Sequence, residues 1–256
     1  MQLVLTPLQG IPLIEEGNNL AEFIRHSLQL DEINLQNGDV LVLAQKIVSK
    51  AEGRRKNLKD FHPSDEAVRL AGISGKDARF IQAVLEESKA ILRVIPGTII
   101  AEHKKGFICA NAGIDHSNVC AGEGDEAEEW ILLLPEDSDK SAERIRIDLE
   151  QHSGKQLAVL VIDSHGRPWR NGTVGVTIGV SGIPALLDMR GRMDLFGRTL
   201  RITQVATADE LAAAASLMMG QAAEGSPVVH VRGFPYELRE GELAELIRPE
   251  AQDLFR

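Results

Sequence analysis

Two short runs without a polar side chain, VLVLA at residues 40–44 and LAVLVI at residues 157–162, constrain this chain more than any other feature. A strand with one wet face alternates apolar and polar residues, whereas a strand covered on both faces reads as a continuous apolar run. Both runs are too short to cross a membrane, which takes about 20 apolar residues in helical form. They predict strands of a sheet packed on both sides, in a mixed arrangement of helices and strands. Ligands of such sheets bind outside the carboxyl ends of the strands. The residues just past each run, QKIVSK at 45–50 and Asp163-Ser164, are therefore the first place to look for chemistry.

Punctuation along the chain fits this picture. Further strands are predicted at residues 3–5, 91–95, 98–101, 131–134, 174–180, 200–205 and 228–231. A helix should start from Asn18 as N-cap, with Leu20, Phe23, Ile24 and Leu28 on one face. Others are predicted over 74–88, capped by Ser74 with Asp77 at N3, and from Ser138 or Ser141 to His152, stopped by Gly154. A capping box at Thr207-Ala208-Asp209-Glu210 opens an alanine-rich helix to Met219, and 240–247 makes a final one. The bare stretch VGVTIGV at 174–180 asks for close packing, which another chain could supply. The charged residues 54–59 read as an exposed connection, and the acidic segment 123–129 as a solvated face rather than a metal cluster. With no repeat and no long linker, residues 1–256 are expected to form one domain.

Composition narrows the function classes. Hydrophobic residues at 43% supply a core, while only 4% aromatics leave little to stack single-stranded nucleic acid. A formal charge of −10 repels phosphate backbones and anionic membranes, although a local basic cleft can still hold a small phosphorylated ligand. No nucleic-acid or membrane partner is expected. Cys109 and Cys120 fit neither CxxC nor a zinc knuckle and are expected to be reduced and buried. The N-terminus lacks a basic region and meets Pro7 early, so a cytoplasmic location is expected. The phosphate-loop, dinucleotide, zincin and serine-nucleophile signatures are absent from the sequence.

What remains is a set of oxygen donors and basic side chains. In KGFICANAGIDHSN, residues 105–118, Asp115 sits among small residues with Asn111 and Asn118 nearby. Such a stretch offers the hard oxygen ligands that Mg²⁺ or Mn²⁺ prefers, though the same residue types also build ordinary tight loops. Asp163 and Ser164 are a second candidate pair, and Gln221 offers another oxygen. Lys46 and Lys50 either edge the surface or meet phosphate, and the apolar Ile47 and Val48 between them favour phosphate. Arg170, in HGRPWRNG, suits an anion or a stack on Trp169. Oxygen ligands with flanking lysines and arginine are the parts of a metal–nucleotide site, and phosphoryl transfer is the reaction class they indicate.

Read in order, GIPLI, QKIVSKAEGR, GFICANAGIDHSN, LLLPEDSDKSAERIR, DSHGRPWRNG and DELAAAASLMMGQAAEGSPVVHVRG resemble the coenzyme F420-0:L-glutamate ligase family over nearly the whole chain. The resemblance implies a two-lobed α+β fold of mixed helices and strands, in an intertwined homodimer. It implies a GTP-dependent ligase that joins L-glutamate to the terminal carboxylate of F420-0, a lactyl-phospho-deazaflavin, through an acyl phosphate. Mg²⁺ or Mn²⁺ at two sites belongs to that expectation, with K⁺ as a further cation. Asp115 and Asp163 would hold one metal, and Ser164 and Gln221 a second. Ile11, Pro12, Leu13, Ile14, Gln45, Lys46, Lys50 and Asn118 would contact GTP, together with Met219, Gly220, Gln221, Ala222, Ala223, Glu224, Gly225 and Ser226. Asp115, Asp163, Lys50 and Arg170 would be the catalytic side chains. The chain departs from the family in carrying Asn18 where Asp is frequent and Ser164 where Thr is common; Ser keeps the hydroxyl. Two other readings stay open, a ligase joining a different carboxylate and amine, and a nucleotide-binding regulator without catalysis.

Overall fold

The computed structural model describes residues 2–119 and 129–253; Cys120 and the acidic segment up to residue 128 lie outside them. The chain starts with strand β1 (Val4–Pro7) and helix α1 (Leu20–Leu30). Asn19 caps α1, its side chain accepting the Ala21 and Glu22 amides, so the cap falls one residue later than the sequence suggested. Asn18 instead accepts the Glu15 amide at 2.9 Å. Strand β2 (Val40–Ala44) runs directly into the short helix α2 (Gln45–Ala51).

A second lobe is inserted after α2. It contains β3 (Arg55–Asn57), α3 (Asp65–Ser74), α4 (Ala78–Glu86), β4 (Ser88–Ile95), β5 (Thr98–His103), β6 (Ile108–Ala110) and β7 (Trp130–Leu132). Here the expected helix over 74–88 is corrected. Ser74 is the last residue of α3, Gly75 turns the chain in the left-handed region, and Asp77 caps α4 by accepting the Arg79 amide. Residues 55–57 pair with β7 rather than forming an exposed connection.

The chain returns through α5 (Ser138–Ser153), capped by Asp137, to the hairpin of β8 (Ala158–Arg167) and β9 (Arg170–Ser181). An excursion with the short strands β10 (Leu187–Asp188) and β11 (Gln204–Val205) leads to α6 (Thr207–Met219) and β12 (Val228–Arg232). The Thr207 capping box does not form. Thr207 donates its hydroxyl to the Pro184 carbonyl at 2.7 Å, and Asp209 turns away to accept the Thr177 amide at 2.9 Å. The expected final helix is only a 3₁₀ turn at Leu243–Leu246.

Among the described residues the main sheet has the order β1-β12-β2-β8-β9, in which β2 and β8 are the parallel neighbours. Period-two alternation sends Leu41, Leu43, Val159 and Val161 to a core shared with α1 and α5, and Val40, Val42, Leu160 and Ile162 to a core shared with α6. Burying each of these side chains is worth about 1.5–3 kcal/mol, which is why neither run admits a polar residue. The inserted lobe has its own core, built on Phe80, Ile81, Val84, Ile99 and Ile131. The two-lobed α+β expectation matches this architecture.

The bare strand is filled from within the same chain, which corrects the expectation that another chain could cover it. A Cβ at Gly175 would lie 2.5 Å from Ser216 Cβ of α6, and one at Gly179 2.5 Å from the Ser138 carbonyl oxygen of α5. Each glycine lets a helix press directly onto the strand backbone. No described helix is long and apolar enough to cross a membrane.

Candidate functional site

Sheet register brings four loops to one edge. Parallel pairing aligns Ala44 with Ile162, so residues 45–46 and 163–164 leave the sheet side by side. β12 runs antiparallel to β2, with Val228 opposite Leu43, which delivers residues 219–227 to the same edge. β1 is antiparallel to β12, with Pro7 opposite Val229, so the chain after it arrives there as well. Together they wall a cavity of about 450 Å³.

Every residue expected to contact nucleotide lines this cavity: the loop 11–14, Gln45, Lys46, Lys50, Asn118 and the loop 219–226. Asp163 and Ser164 line it too. Asn118 has φ +58°, tolerable for Asn, and its side-chain amide donates to the Ala222 carbonyl at 3.1 Å, tying the 105–118 stretch to the last loop. Arg170 does not line the cavity. It starts β9 at the far end of the hairpin, opposite Arg167.

Asp115 stands beside the cavity wall, fixed by its own backbone, which exchanges hydrogen bonds of 3.0 and 2.9 Å with Leu132. The left-handed sequence Asn111-Ala112-Gly113 aims the chain at this position. Gly113 has φ +71°, and a Cβ there would sit 2.5 Å from Leu134 Cδ1, so the position favours glycine. Asp115 Oδ2 accepts from Gln45 Nε2 and pairs with Lys46 Nζ, each at 2.6 Å. Ser49 donates to Gln45 Oε1 at 2.9 Å and thereby points the Gln45 amide nitrogen at the carboxylate. Burial pushes the Asp115 carboxyl above its ordinary value; Lys46 opposes that rise and the negative charge of Asp163 adds to it.

Asp163 and Ser164 diverge. Successive strand residues point to opposite faces, and the face holding Asp163 also holds His165, whose Nε2 lies 3.0 Å from Asp163 Oδ2. Phe107 packs between His165 and the buried His103, with ring centroids 5.5 and 4.8 Å away. The other face holds Ser164, which donates to Gln221 Oε1 at 2.8 Å, while Gln221 Nε2 donates to Ser216 Oγ at 3.0 Å. Sequence reasoning missed His165 and Ser216, and also Ser117, whose carbonyl accepts from Lys46 at 3.3 Å. Strand alternation could have found His165, two residues past Asp163; nothing local marks the other two.

The donor set suits a hard divalent cation. Asp115 and Asp163 are carboxylates close enough that one raises the affinity of the other for a proton, a repulsion that a cation relieves. Among the described residues no group of three or more His, Cys, Asp or Glu side chains is arranged to hold a metal. A cation there would complete its shell with amide oxygens, water or phosphate oxygens. Cys109 is buried and free, with its thiol pushed up to about 12 by burial, so it packs rather than reacts.

Fold and cavity define an α+β protein with an open cavity at the carboxyl end of a buried parallel strand pair. The family model described as F420-0:Gamma-glutamyl ligase matches residues 10–233, and the chain belongs to that family. It is 45% identical over 258 residues to the protein named coenzyme F420:L-glutamate ligase of Methanothermobacter thermautotrophicus, covering 100% of both chains. It is 44% identical to the protein of the same name from Methanocaldococcus jannaschii, over 96% of this chain and 94% of that one. For the Archaeoglobus fulgidus protein the identity is 43%, over 100% of this chain and 97% of the relative.

Proposed function

We propose that this protein joins L-glutamate to the terminal carboxylate of F420-0 by an amide bond, at the expense of GTP. The observation that carries the reading is the meeting of Asp163-Ser164, Gln45-Lys46, Lys50 and the loop 219–226 in one cavity, in a chain 45% identical, over the whole of both chains, to a protein named coenzyme F420:L-glutamate ligase. A carboxylate is a poor electrophile. Transfer of the γ-phosphoryl group of GTP to the F420-0 carboxylate gives an acyl phosphate and GDP; attack by the glutamate amine then forms the amide, releases phosphate and sheds a proton. No protein nucleophile is needed, in keeping with the neutral Cys109.

Lys46 and Lys50 neutralise charge that builds on the phosphates, and Asn118 with the loops 11–14 and 219–226 holds the nucleotide. Asp115 and Asp163 would hold one Mg²⁺ or Mn²⁺, and Ser164 with Gln221 a second. Bound there, the cations would stabilise negative charge on the transferring phosphoryl oxygens. Gln45 and His165 keep the two carboxylates oriented. Arg170 stands away from the cavity, so its part lies with the acceptor and not with the phosphoryl transfer.

Incubation with F420-0, L-glutamate, GTP and Mn²⁺ followed by mass spectrometry tests this. Addition of at least one glutamyl unit is expected; no addition beside an active control ligase overturns the reading. A panel of other carboxylates and amines separates it from a ligase of different substrates. A homodimer is part of the proposal. In the excursion between β10 and β11 Leu195 and Phe196 are at least 90% exposed, apolar surface that a second copy would cover, and sedimentation equilibrium tests this.

A further inference from the structure

The β8–β9 hairpin runs from the site to a tip that breaks a local rule. Arg167 pairs with Arg170, leaving Pro168 and Trp169 as the turn. The proline ring holds φ near −65°, and Trp169 has φ +64°. Negative followed by positive φ is the type II pattern, whose second central position ordinarily takes glycine. Here the largest side chain occupies it and is 89% exposed, so core burial does not explain its presence. Residues that violate local conformational preference and stay in water are where function is to be sought.

The surroundings of the tip indicate what it meets. Residues directly opposite in an antiparallel pair stand on one face, so Arg167 and Arg170 project together at the root of the turn. Arg167 shares by alternation the face of Asp163 and His165, and one of its guanidinium nitrogens is buried with no hydrogen-bond partner. A donor left in that state suits an anion. Spacing adds to this. Six strand residues separate Asp163 from Trp169, about 20 Å along the strand. In F420-0 about ten bonds join the ring to the reacting carboxyl, which in extended form is about 12 Å, plus about 3 Å to the ring centre. The phosphodiester of the acceptor lies between.

Resting on the ligase reading above, we propose that Trp169 is the platform on which the deazaflavin ring of the acceptor stacks, with Arg167 and Arg170 holding its phosphodiester, while the carboxyl reaches Asp163. Aromatic faces stack planar heterocycles and tolerate approach from water, and an exposed indole offers one.

Steady-state kinetics on wild type, Trp169→Ala and Trp169→Phe test it, with direct binding read from the polarisation of deazaflavin fluorescence. Trp169→Ala is expected to raise KM for F420-0 and weaken its binding roughly tenfold, in line with the loss of one aromatic stack, while Trp169→Phe stays within about threefold of wild type. KM for GTP and for glutamate should not move. On phospholactate, which has no ring, wild type and Trp169→Ala should ligate equally. An unchanged KM for F420-0, an equal loss on phospholactate, or a changed sedimentation coefficient for Trp169→Ala overturns the ring site. If wild type binds the deazaflavin through Trp169 yet adds no glutamate, the ring site stands and the ligase reading falls.

Discussion

Gly175 connects packing to chemistry, and replacing it with alanine isolates that link. The new Cβ would sit 2.5 Å from Ser216 Cβ and 2.6 Å from the Ala212 carbonyl oxygen, both on α6. Comfortable contact needs about 3.5 Å, so the helix must retreat by about 1 Å, since a backbone oxygen cannot rotate aside. Overpacking of this kind costs about 1–3 kcal/mol and should lower Tm by several degrees in a chain of this size. The same retreat carries Ser216 and Gln221 away from Ser164, stretching hydrogen bonds that now measure 3.0 and 2.8 Å. A displacement of about 1 Å at a reacting centre can cost up to about 100-fold, so kcat/KM for glutamate addition should fall roughly 10- to 100-fold. Gly179→Ala is the control: its Cβ would meet the Ser138 carbonyl oxygen at 2.5 Å, on the opposite face and away from the cavity. It should lose a similar amount of stability and keep kcat/KM within about threefold. Equal kinetics for the two variants would refute a role for the Ser164–Gln221–Ser216 chain, and an unchanged Tm for Gly175→Ala would refute the packing argument itself.

Asp163→Asn removes the carboxylate proposed to hold a cation and should lower turnover by about three decades while Tm stays within a few degrees; retained Mn²⁺ binding, measured by calorimetry, would contradict that proposal. Lys50→Ala should weaken GTP roughly tenfold and leave glutamate nearly unaffected, as expected for loss of one charge-assisted contact to phosphate, and the reverse order would place Lys50 at the amino-acid site. Asp39 is buried and pairs with His230 Nε2 at 2.9 Å and Arg232 Nη2 at 2.7 Å. Burial pushes its carboxyl up, but the close His230 imidazole and the hydrogen-bonded Arg232 guanidinium outweigh that and hold it at about 2. A folded value below the unfolded one stabilises at neutral pH, by about 2 kcal/mol, and that contribution is lost as pH falls from about 4 toward 2. Asp39→Asn should therefore cost about 3 kcal/mol at pH 7 in a denaturant titration. The gap to wild type should close as pH falls below 4, and a constant gap would disprove the linkage.

Features written in adjacent residues were legible, and features that depend on a distant partner were not. The apolar runs gave both buried strands, and the rule that ligands bind past strand carboxyl ends then led to Asp163, Ser164, Gln45 and Lys46. The α3 helix was missed because Gly72 interrupts it and only Ala67, Leu70 and Ser74 of it are buried, leaving little periodicity to detect. Thr207 carried a capping signal, yet the Pro184 carbonyl, more than twenty residues away, competes successfully for its hydroxyl. Bareness at Gly175 and Gly179 was visible as a demand for close packing, but the identity of the packing partner is tertiary information. Ser117 and Ser216 look like any serine until the fold sets Lys46 and Gln221 beside them.

The parallel pair explains why the site exists at this edge. Were β8 antiparallel to β2, Asp163 and Gln45 would emerge at opposite ends of the sheet; parallel pairing sets them about 4.8 Å apart instead. The two antiparallel neighbours then bring the 219–227 loop and the chain after β1 to the same place. Within β8 the division is finer still. Asp163 falls on the face that meets the inserted lobe and Asp115, and Ser164 on the face that meets α6, where Gly175 opposite it admits Ser216. A slip of β8 by one residue would exchange the two, presenting a carboxylate to Gln221 and a hydroxyl to Asp115. The buried runs at 40–44 and 157–162 forbid that slip, because it would turn every one of their side chains into the wrong core. The hydrophobic register thus fixes which of Asp163 and Ser164 faces the inserted lobe and which faces α6, although none of the residues that set it carries a polar side chain.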